Sequence, residues 1–262
     1  MTEPQFRFDD GAAYEEMMGK WSRSAGEIFL DWLAPPPALR WIDIGCGNGA
    51  FTELLVDRCA PAEVAGVDPS EGQLAFARTR PAGRVAQFQQ GHAMALPFPD
   101  HKFDAATMAL VIFFVPEPAR GVAEMVRVVR PGGIVAAYAW DMFGGGFPLD
   151  PILVELRAMN LPSLMPPSAD ASRMEALRGL WSAAGLEGVE TRKIAVQRTF
   201  ADFDAFWAAS VNGSNAARIV NEMTPSDVEV LKSRVRARLP IDAAGHITYG
   251  AHANAVKGRV PA

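Results

Sequence analysis

A short apolar strand that runs directly into a glycine-rich turn constrains this chain more than any other feature. Residues 41–49 read Trp-Ile-Asp-Ile-Gly-Cys-Gly-Asn-Gly, and the apolar residues that follow have the spacing of a helix. Gly45, Gly47 and Gly49 can adopt positive φ angles and let the backbone approach a ligand closely. A strand, a glycine turn and a helix start together predict a cradle for a nucleotide-like ligand.

Two acids near this turn bear on which ligand it holds. Asp43 lies two residues before the first glycine, so the adjoining part of the ligand is expected to be cationic or a hydrogen-bond donor, unlike a pyrophosphate. The spacing of Gly45, Gly47 and Ala50 nevertheless also fits the dinucleotide fingerprint. Asp68 ends the next predicted strand and either accepts hydrogen bonds from a ribose or caps the turn that follows. The loop alone leaves both ligand classes open.

Composition narrows the class of protein. The chain has 262 residues, of which 49% are hydrophobic and 21% charged, as in a globular protein with one large domain or one domain with an insertion. The formal charge is −5 and no dense run of Lys and Arg is present, so no nucleic-acid partner is expected. Cys46 and Cys59 are the two cysteines, and they predict neither a metal cluster nor a disulfide framework.

The sequence also carries expectations about location. Its start lacks a charged-then-apolar signal pattern, and no apolar run reaches the roughly 18 residues of a membrane span. We therefore expect a cytoplasmic protein with no stable membrane association. The sequence does not set the oligomeric state.

Strands and helices alternate through the first half of the chain. Predicted strands lie at about 39–44, 64–67, 85–89, 103–110 and 134–140, with helical spacing between them. This alternation predicts a parallel, doubly wound sheet with right-handed crossovers. From Gly144 to Pro167 the pattern becomes irregular, and it returns with a predicted helix over 172–184 and a strand over 189–196.

Three further short segments follow the glycine loop along the chain, and their order and spacing are informative. They are Leu96-Pro97-Phe98, Phe103-Asp104 and Arg130-Pro-Gly-Gly133. Together with the glycine loop and Asp68, they make residues 38–141 resemble the class I S-adenosylmethionine (SAM)-dependent methyltransferases. The resemblance is to the small-molecule group, methyltransferase type 11, which includes the ubiquinone/menaquinone C-methyltransferases.

The resemblance implies an α/β fold. Its sheet is doubly wound, seven-stranded, mostly parallel and Rossmann-like, with order 3-2-1-4-5-7-6, an antiparallel last strand and helical insertions forming a lid. The sixth strand is expected at about 188–199 and the seventh at about 246–257. The implied divisions are an N-terminal helical lid segment (1–37), a SAM-binding core (38–141) and the C-terminal half of the core (142–262). Helical acceptor-site insertions are expected at about 142–171 and 202–240.

The implied function is transfer of a methyl group from SAM to a small, partly apolar acceptor by in-line displacement. The cofactor carries this chemistry while the protein binds, orients and excludes water, so no strong catalytic signature is expected. The alternative is a non-catalytic protein of the same fold that holds SAM or S-adenosylhomocysteine. A dinucleotide oxidoreductase is disfavoured because no Tyr-x-x-x-Lys pair is present.

The resemblance assigns a cofactor site by position, with the glycine loop on the methionine part, Asp68 on the ribose and residues near 69–73 and 92–94 around the adenine. Its predicted members are Asp43, Gly45, Cys46, Gly47, Gly49, Asp68, Pro69, Gln73, His92, Ala93, Met94, Met108 and Leu110, with Tyr14 and Arg23 from the lid. His92 stands where the family usually has Asp. Its neutral ring can still accept a hydrogen bond from the adenine amino group, or it is an exposed loop residue.

The acceptor site is the less defined part. Its predicted members are Phe113, Phe114, Trp140 and Trp207. The two phenylalanines occupy the position where many relatives carry histidine, which argues against a histidine base there. Asp141 is the candidate to orient or deprotonate an acceptor, with turn capping as the alternative. His246 and His252, on the presumed last strand, are interpreted as structural.

Overall fold

A seven-stranded sheet with helices packed on it organises the chain. The computed structural model describes residues 18–161, 165–212 and 214–262, and Tyr14 lies outside them. The strands are β1 Arg40–Ile44, β2 Glu63–Asp68, β3 Ala86–Gln90, β4 Phe103–Ala109, β5 Val129–Trp140, β6 Glu187–Phe200 and β7 Ile247–Arg259. The described α-helices are α1 Lys20–Leu33, α2 Ala50–Cys59, α3 Glu71–Thr79, α4 Pro118–Val128, α5 Asp150–Ala158, α6 Met174–Ala183, α7 Phe203–Val211, α8 Asn215–Glu222 and α9 Pro225–Arg238.

The strand order is β3-β2-β1-β4-β5-β7-β6. Strands β1 to β5 pair in parallel, and β7 runs antiparallel to both β5 and β6. The predicted order and the antiparallel last strand are thereby confirmed. The order reverses between β1 and β4, and ligands of open α/β sheets bind at the carboxyl ends of strands at such a switch point. The glycine loop leaves β1 at this place.

The two C-terminal stretches contain regular structure. Helix α5 lies between Gly144 and Pro167, where the local sequence pattern is irregular and the resemblance implies a helical insertion. Helices α7, α8 and α9 lie between β6 and β7. No helix in the described part of the chain is long and apolar enough to cross a membrane.

Helix α1 is a packed part of the fold. It contacts α2, β6 and β7, and it buries Trp21 and Phe29 completely or nearly so. The Phe29 ring centroid lies 4.7 Å from that of Tyr138 on β5 and 6.1 Å from that of Phe51 on α2. The segment predicted as a lid therefore includes a helix anchored in the hydrophobic core.

Asp104 joins two of the segments on which the resemblance rests. Its carboxylate accepts hydrogen bonds from Arg40 N at 2.8 Å, Arg40 Nε at 3.0 Å and Arg130 Nε at 2.6 Å. In the turn after Arg130, a Cβ on Gly133 would lie 2.7 Å from the Asp104 carbonyl oxygen. The Phe-Asp and Arg-Pro-Gly-Gly segments thus form one structural unit at the start of β4 and β5.

We expect Asp104→Asn to lower the free energy of unfolding by about 2 kcal/mol, because hydrogen bonds to charged groups contribute about 1.5–3 kcal/mol. The hydrogen bonds from Arg40, followed by one from Arg130, lower the Asp104 pKa, although burial opposes them. This stabilisation is therefore complete at neutral pH and lost only in strong acid. Urea unfolding at neutral pH measures the effect. Asp31→Asn is the control, because Asp31 pairs with Arg58 in solvent. Equal effects of the two variants would contradict the prediction.

Candidate cofactor site

Three residues with positive φ angles build the turn after β1. Gly45, Gly47 and Gly49 have φ values of 73°, 50° and 79°. A Cβ on Gly45 would lie 2.5 Å from both methyl groups of Val111, and one on Gly49 would lie 2.9 Å from the Cβ of Ala77 on α3. Both the backbone conformation and the close packing therefore require glycine at 45 and 49.

Asp43 is fully buried at the foot of this turn. Its Oδ2 accepts a hydrogen bond from Thr52 Oγ1 at 2.6 Å, whereas its Oδ1 is buried and has no hydrogen-bond partner within residues 18–161, 165–212 and 214–262. Burial raises the Asp43 pKa to about 7, the hydrogen bond from Thr52 opposes this rise, and the charge of Asp68 adds to it. A buried oxygen left without a donor is uncommon in native proteins and indicates a group that a bound partner satisfies.

Asp68 ends β2 beside the same turn. Its Oδ2 accepts a hydrogen bond from Gly47 N and its Oδ1 accepts one from Ser70 N, both at 2.9 Å. Turn capping, the structural alternative raised by the sequence, is therefore present. Each carboxylate oxygen has a further lone pair, so these contacts leave room for the predicted ribose hydroxyls. Burial raises the Asp68 pKa, and the backbone hydrogen bonds and the charge of His92 oppose the rise.

The predicted adenine residues surround the end of β2. Gln73 is buried on α3, and its Oε1 would lie 3.9 Å from a Cβ on Gly47. The Pro69 carbonyl accepts a hydrogen bond from Gln90 Nε2 at 2.9 Å. His92 is exposed, close enough to Asp68 for its charge to act there. A contact between His92 and adenine stays a prediction.

Helix α4 holds the segment that follows, through two residues that the sequence reasoning missed. Glu124 Oε2 accepts a hydrogen bond from Leu96 N at 2.7 Å. Arg127 Nη1 donates to the Phe98 carbonyl at 2.8 Å, and its Nη2 donates to the Leu96 carbonyl at 3.0 Å. These contacts fix the Leu-Pro-Phe segment just after the predicted adenine residues Ala93 and Met94. The i, i+3 spacing of Glu124 and Arg127 on a predicted helix was the sequence feature that could have indicated that they act together.

The end of β4 closes the turn from the other side. Met108 is fully buried, and Leu110 has a positive φ of 62° while its N–H donates to the Tyr138 carbonyl at 2.8 Å. A leucine in the left-handed region is strained, and such strain clusters at functional sites. The next residue, Val111, covers Gly45, a contact that sequence reasoning did not predict.

The predicted acceptor residues lie on three different elements. Phe113 and Phe114 lie in a short 3-10 turn after β4 with ring centroids 4.6 Å apart. Trp140 is buried at the end of β5, and no described residue makes a hydrogen bond with its Nε1. Trp207 packs on Phe203 within α7, as expected for a buried helix stripe, and its place in an acceptor site stays a prediction.

Asp141 holds the turn after β5. Its Oδ1 accepts hydrogen bonds from Phe143 N at 3.2 Å and Gly144 N at 2.7 Å, and its Oδ2 lies 3.3 Å from His252 Nε2. Burial alone would raise the Asp141 pKa, but these backbone and side-chain hydrogen bonds lower it below its ordinary value. The geometry fits turn capping, and a lowered pKa makes Asp141 a weak base.

Of the two predicted lid residues, Arg23 lies in the described part of the chain and has a local partner. Arg23 Nε lies 3.2 Å from Glu27 Oε1 one helical turn away, with the Arg23 side chain about half exposed. Its predicted pairing with a cofactor carboxylate stays a prediction. Within the described residues, no cluster of three or more His, Cys, Asp or Glu side chains is placed to hold a metal ion.

The sheet order, with its antiparallel last strand, is that of the Rossmann-like methyltransferase fold, and the glycine cradle and buried acid lie at its switch point. Residues 42–137 match the family model described as "Methyltransferase domain". The resemblance inferred from the sequence is thereby confirmed.

Relatives and solved structures agree with this assignment. The chain is 33% identical to a demethylmenaquinone methyltransferase of Renibacterium salmoninarum, over 55% of this chain and 57% of the relative. It is 32% identical to a 2-phytyl-1,4-naphtoquinone methyltransferase of Synechococcus elongatus, over 60% and 65% of the two chains. The matches thus span less than two thirds of these relatives. The YcgJ protein of Bacillus subtilis shares the fold, with a TM-score of 0.61 and 18% identity over 91% of this chain and 98% of that one.

Proposed function

We propose that this protein is a SAM-dependent methyltransferase that methylates a small, partly apolar acceptor. The buried, unpartnered Oδ1 of Asp43 beside the glycine cradle carries this proposal. A buried carboxylate needs a donor or a positive charge, and the ammonium group of SAM supplies both. A pyrophosphate would instead place negative charge next to this carboxylate. The residues present therefore fit SAM and disfavour a dinucleotide.

When bound, SAM supplies a methyl group on a sulfonium, which a nucleophile displaces in one step. The protein has to bind and orient SAM and the acceptor and to exclude water from the site. We assign Asp43 and the glycine loop to the methionine part, Asp68 to the ribose, and Gln73 and the segment after β3 to the adenine. The strained end of β4, at Leu110, lies across the cradle from these groups.

For the acceptor we propose a reduced naphthoquinone. The names of the curated relatives support this class, as does the chemistry of the sheet edge after β4 and β5. Phe113 and Phe114 offer aromatic surface, and the Trp140 indole N–H is a buried donor without a partner. A flat hydroquinone ring with two hydroxyl oxygens complements both features.

The experiment that tests this function supplies SAM with a deuterated methyl group and reduced 1,4-naphthoquinone under anaerobic conditions. The proposal predicts a deuteromethylated naphthoquinone and an equal amount of S-adenosylhomocysteine, both measured by mass spectrometry. A catechol and a primary amine serve as comparison acceptors. Methylation of one of these alone would keep the enzyme and replace the acceptor class. Binding of SAM without turnover of any acceptor would favour the non-catalytic alternative.

We expect Asp68→Ala to weaken SAM binding at least about tenfold, because hydrogen bonds to a charged acceptor contribute about 1.5–3 kcal/mol. Isothermal titration calorimetry measures the change in the dissociation constant. The control is Glu71→Ala, which removes an exposed carboxylate at the start of the next helix. Unchanged SAM affinity in Asp68→Ala would remove Asp68 from the site.

A further inference from the structure

We propose that Thr52 is a positioning residue of the cofactor site, which acts through Asp43 by holding its carboxylate charged and in one orientation. The inference rests on the proposed function, in which the cationic amino group of SAM binds the Asp43 carboxylate. Thr52 itself needs no contact with the cofactor.

The geometry places Thr52 in the first turn of α2, directly after the glycine loop, and its side chain is fully buried. Its hydroxyl lies 2.6 Å from Asp43 Oδ2, across nine residues of sequence that contain the whole cradle. An ionised carboxylate can only accept hydrogen bonds, so the hydroxyl donates. Oδ1 accepts no hydrogen bond from any described residue, and it is therefore the oxygen that we assign to the ligand.

The electrostatic surroundings make this single hydrogen bond important. Burial raises the Asp43 pKa to about 7, Thr52 lowers it, and Asp68 raises it. Burial and the negative charges of Asp43 and Asp68 also raise the thiol pKa of Cys46, in the glycine loop, well above its ordinary value. Among the described residues, Thr52 is therefore the side chain whose hydrogen bond opposes the rise in the Asp43 pKa.

A pH dependence of binding follows from this arrangement. Below about pH 7 the free protein carries a proton on Asp43 that the ammonium of SAM must displace. Binding in acid is therefore weaker and releases a proton, whereas binding in mild alkali reaches a plateau. Loss of the Thr52 hydroxyl moves this transition to higher pH, because the opposing hydrogen bond is gone.

Calorimetric titration of SAM into the full-length protein between about pH 6 and pH 9 tests the inference. We expect Thr52→Val to weaken binding about tenfold at pH 7 and to move the midpoint up by about one pH unit. Thr52→Ser should behave as the wild type. Thr107→Val is the matched control, because Thr107 is equally buried, pairs with Asp43 in the sheet and bonds the Ile42 carbonyl instead.

The outcomes separate this inference from the function on which it rests. If the wild type binds no SAM at any pH, the proposed function fails and the role of Thr52 fails with it. If the wild type binds SAM and Thr52→Val keeps the same affinity and midpoint, only the inference is overturned. If Thr52→Val does not fold, Thr52→Ala takes its place in the titrations. The number of protons that the wild type releases on binding SAM in acid is a second test, and it is obtained by repeating the calorimetry in buffers of different ionisation enthalpy. A wild type that releases no proton would overturn the inference.

Discussion

Asp43→Asn is expected to weaken SAM binding at least about thirtyfold while leaving the free protein at least as stable as the wild type at about pH 8. Removing one partner of a buried charge pair costs about 2–5 kcal/mol of binding energy, or roughly thirtyfold and more. The free protein gains because it no longer buries an unpaired charge. Loss of function without loss of stability is the signature of a ligand-binding carboxylate.

The pH dependence of stability gives this prediction a definite sign. Burial raises the folded-state pKa of Asp43 to about 7, whereas the unfolded chain loses this proton near pH 4. The folded state therefore binds more protons between these values, and its stability falls as the pH rises from about 4 to about 7. Asparagine removes this slope, so its advantage over the wild type should grow with pH and level off above about pH 7.

Urea unfolding at about pH 5 and about pH 8, together with calorimetry, measures both effects. The matched control is Asp57→Asn, an exposed carboxylate on the same helix as Thr52, which should alter neither. A variant that keeps wild-type SAM affinity, or that loses several kcal/mol of stability at pH 8, would contradict the role assigned to Asp43.

Phe29→Ala is expected to destabilise the whole domain by about 3–5 kcal/mol, because truncation of a fully buried aromatic residue leaves a cavity. Phe29 is fully buried in α1 and contacts the rings of Tyr138 and Phe51. The loss should appear in the cooperative global transition, because the Phe29 ring contacts tie the helix to β5 and α2.

Native-state hydrogen exchange distinguishes a global loss of stability from the opening of α1 alone. If α1 is integral, its amides and those of β5 should lose protection together in Phe29→Ala. Phe143→Ala, at an exposed ring stacked against Arg173, is the control and should stay within about 1 kcal/mol of the wild type. Loss of protection confined to α1 would support a lid that opens by itself.

Local patterns were sufficient for the framework of the fold. Strand β1, its glycine turn and the alternation that follows are encoded within short stretches, and their order carried the resemblance that gave the sheet topology. The Ser70 cap of α3 could also be predicted from the sequence, because a cap residue directly precedes its helix. The local pattern did not show helix α5, because prolines and glycines on both sides obscure its short apolar run, and only the resemblance implied a helical insertion there.

The contacts that define the site were harder to predict because they join distant residues. Asp141 meets His252 across 111 residues, and Glu124 reaches Leu96 across 28. The Thr52 hydroxyl lies only nine residues from Asp43, yet a threonine in a helix gives no sign of its partner until the turn geometry is known. Propensity and periodicity describe single elements, whereas these hydrogen bonds depend on how elements pack.

Calorimetric titration of the wild-type protein with SAM, and separately with NADH, at about pH 8 is the most direct test of the central claim, because Asp43 is ionised there. The structure predicts micromolar affinity for SAM and no binding of NADH, whose pyrophosphate would face the Asp43 carboxylate. Absence of SAM binding at millimolar concentration together with binding of NADH would contradict the account.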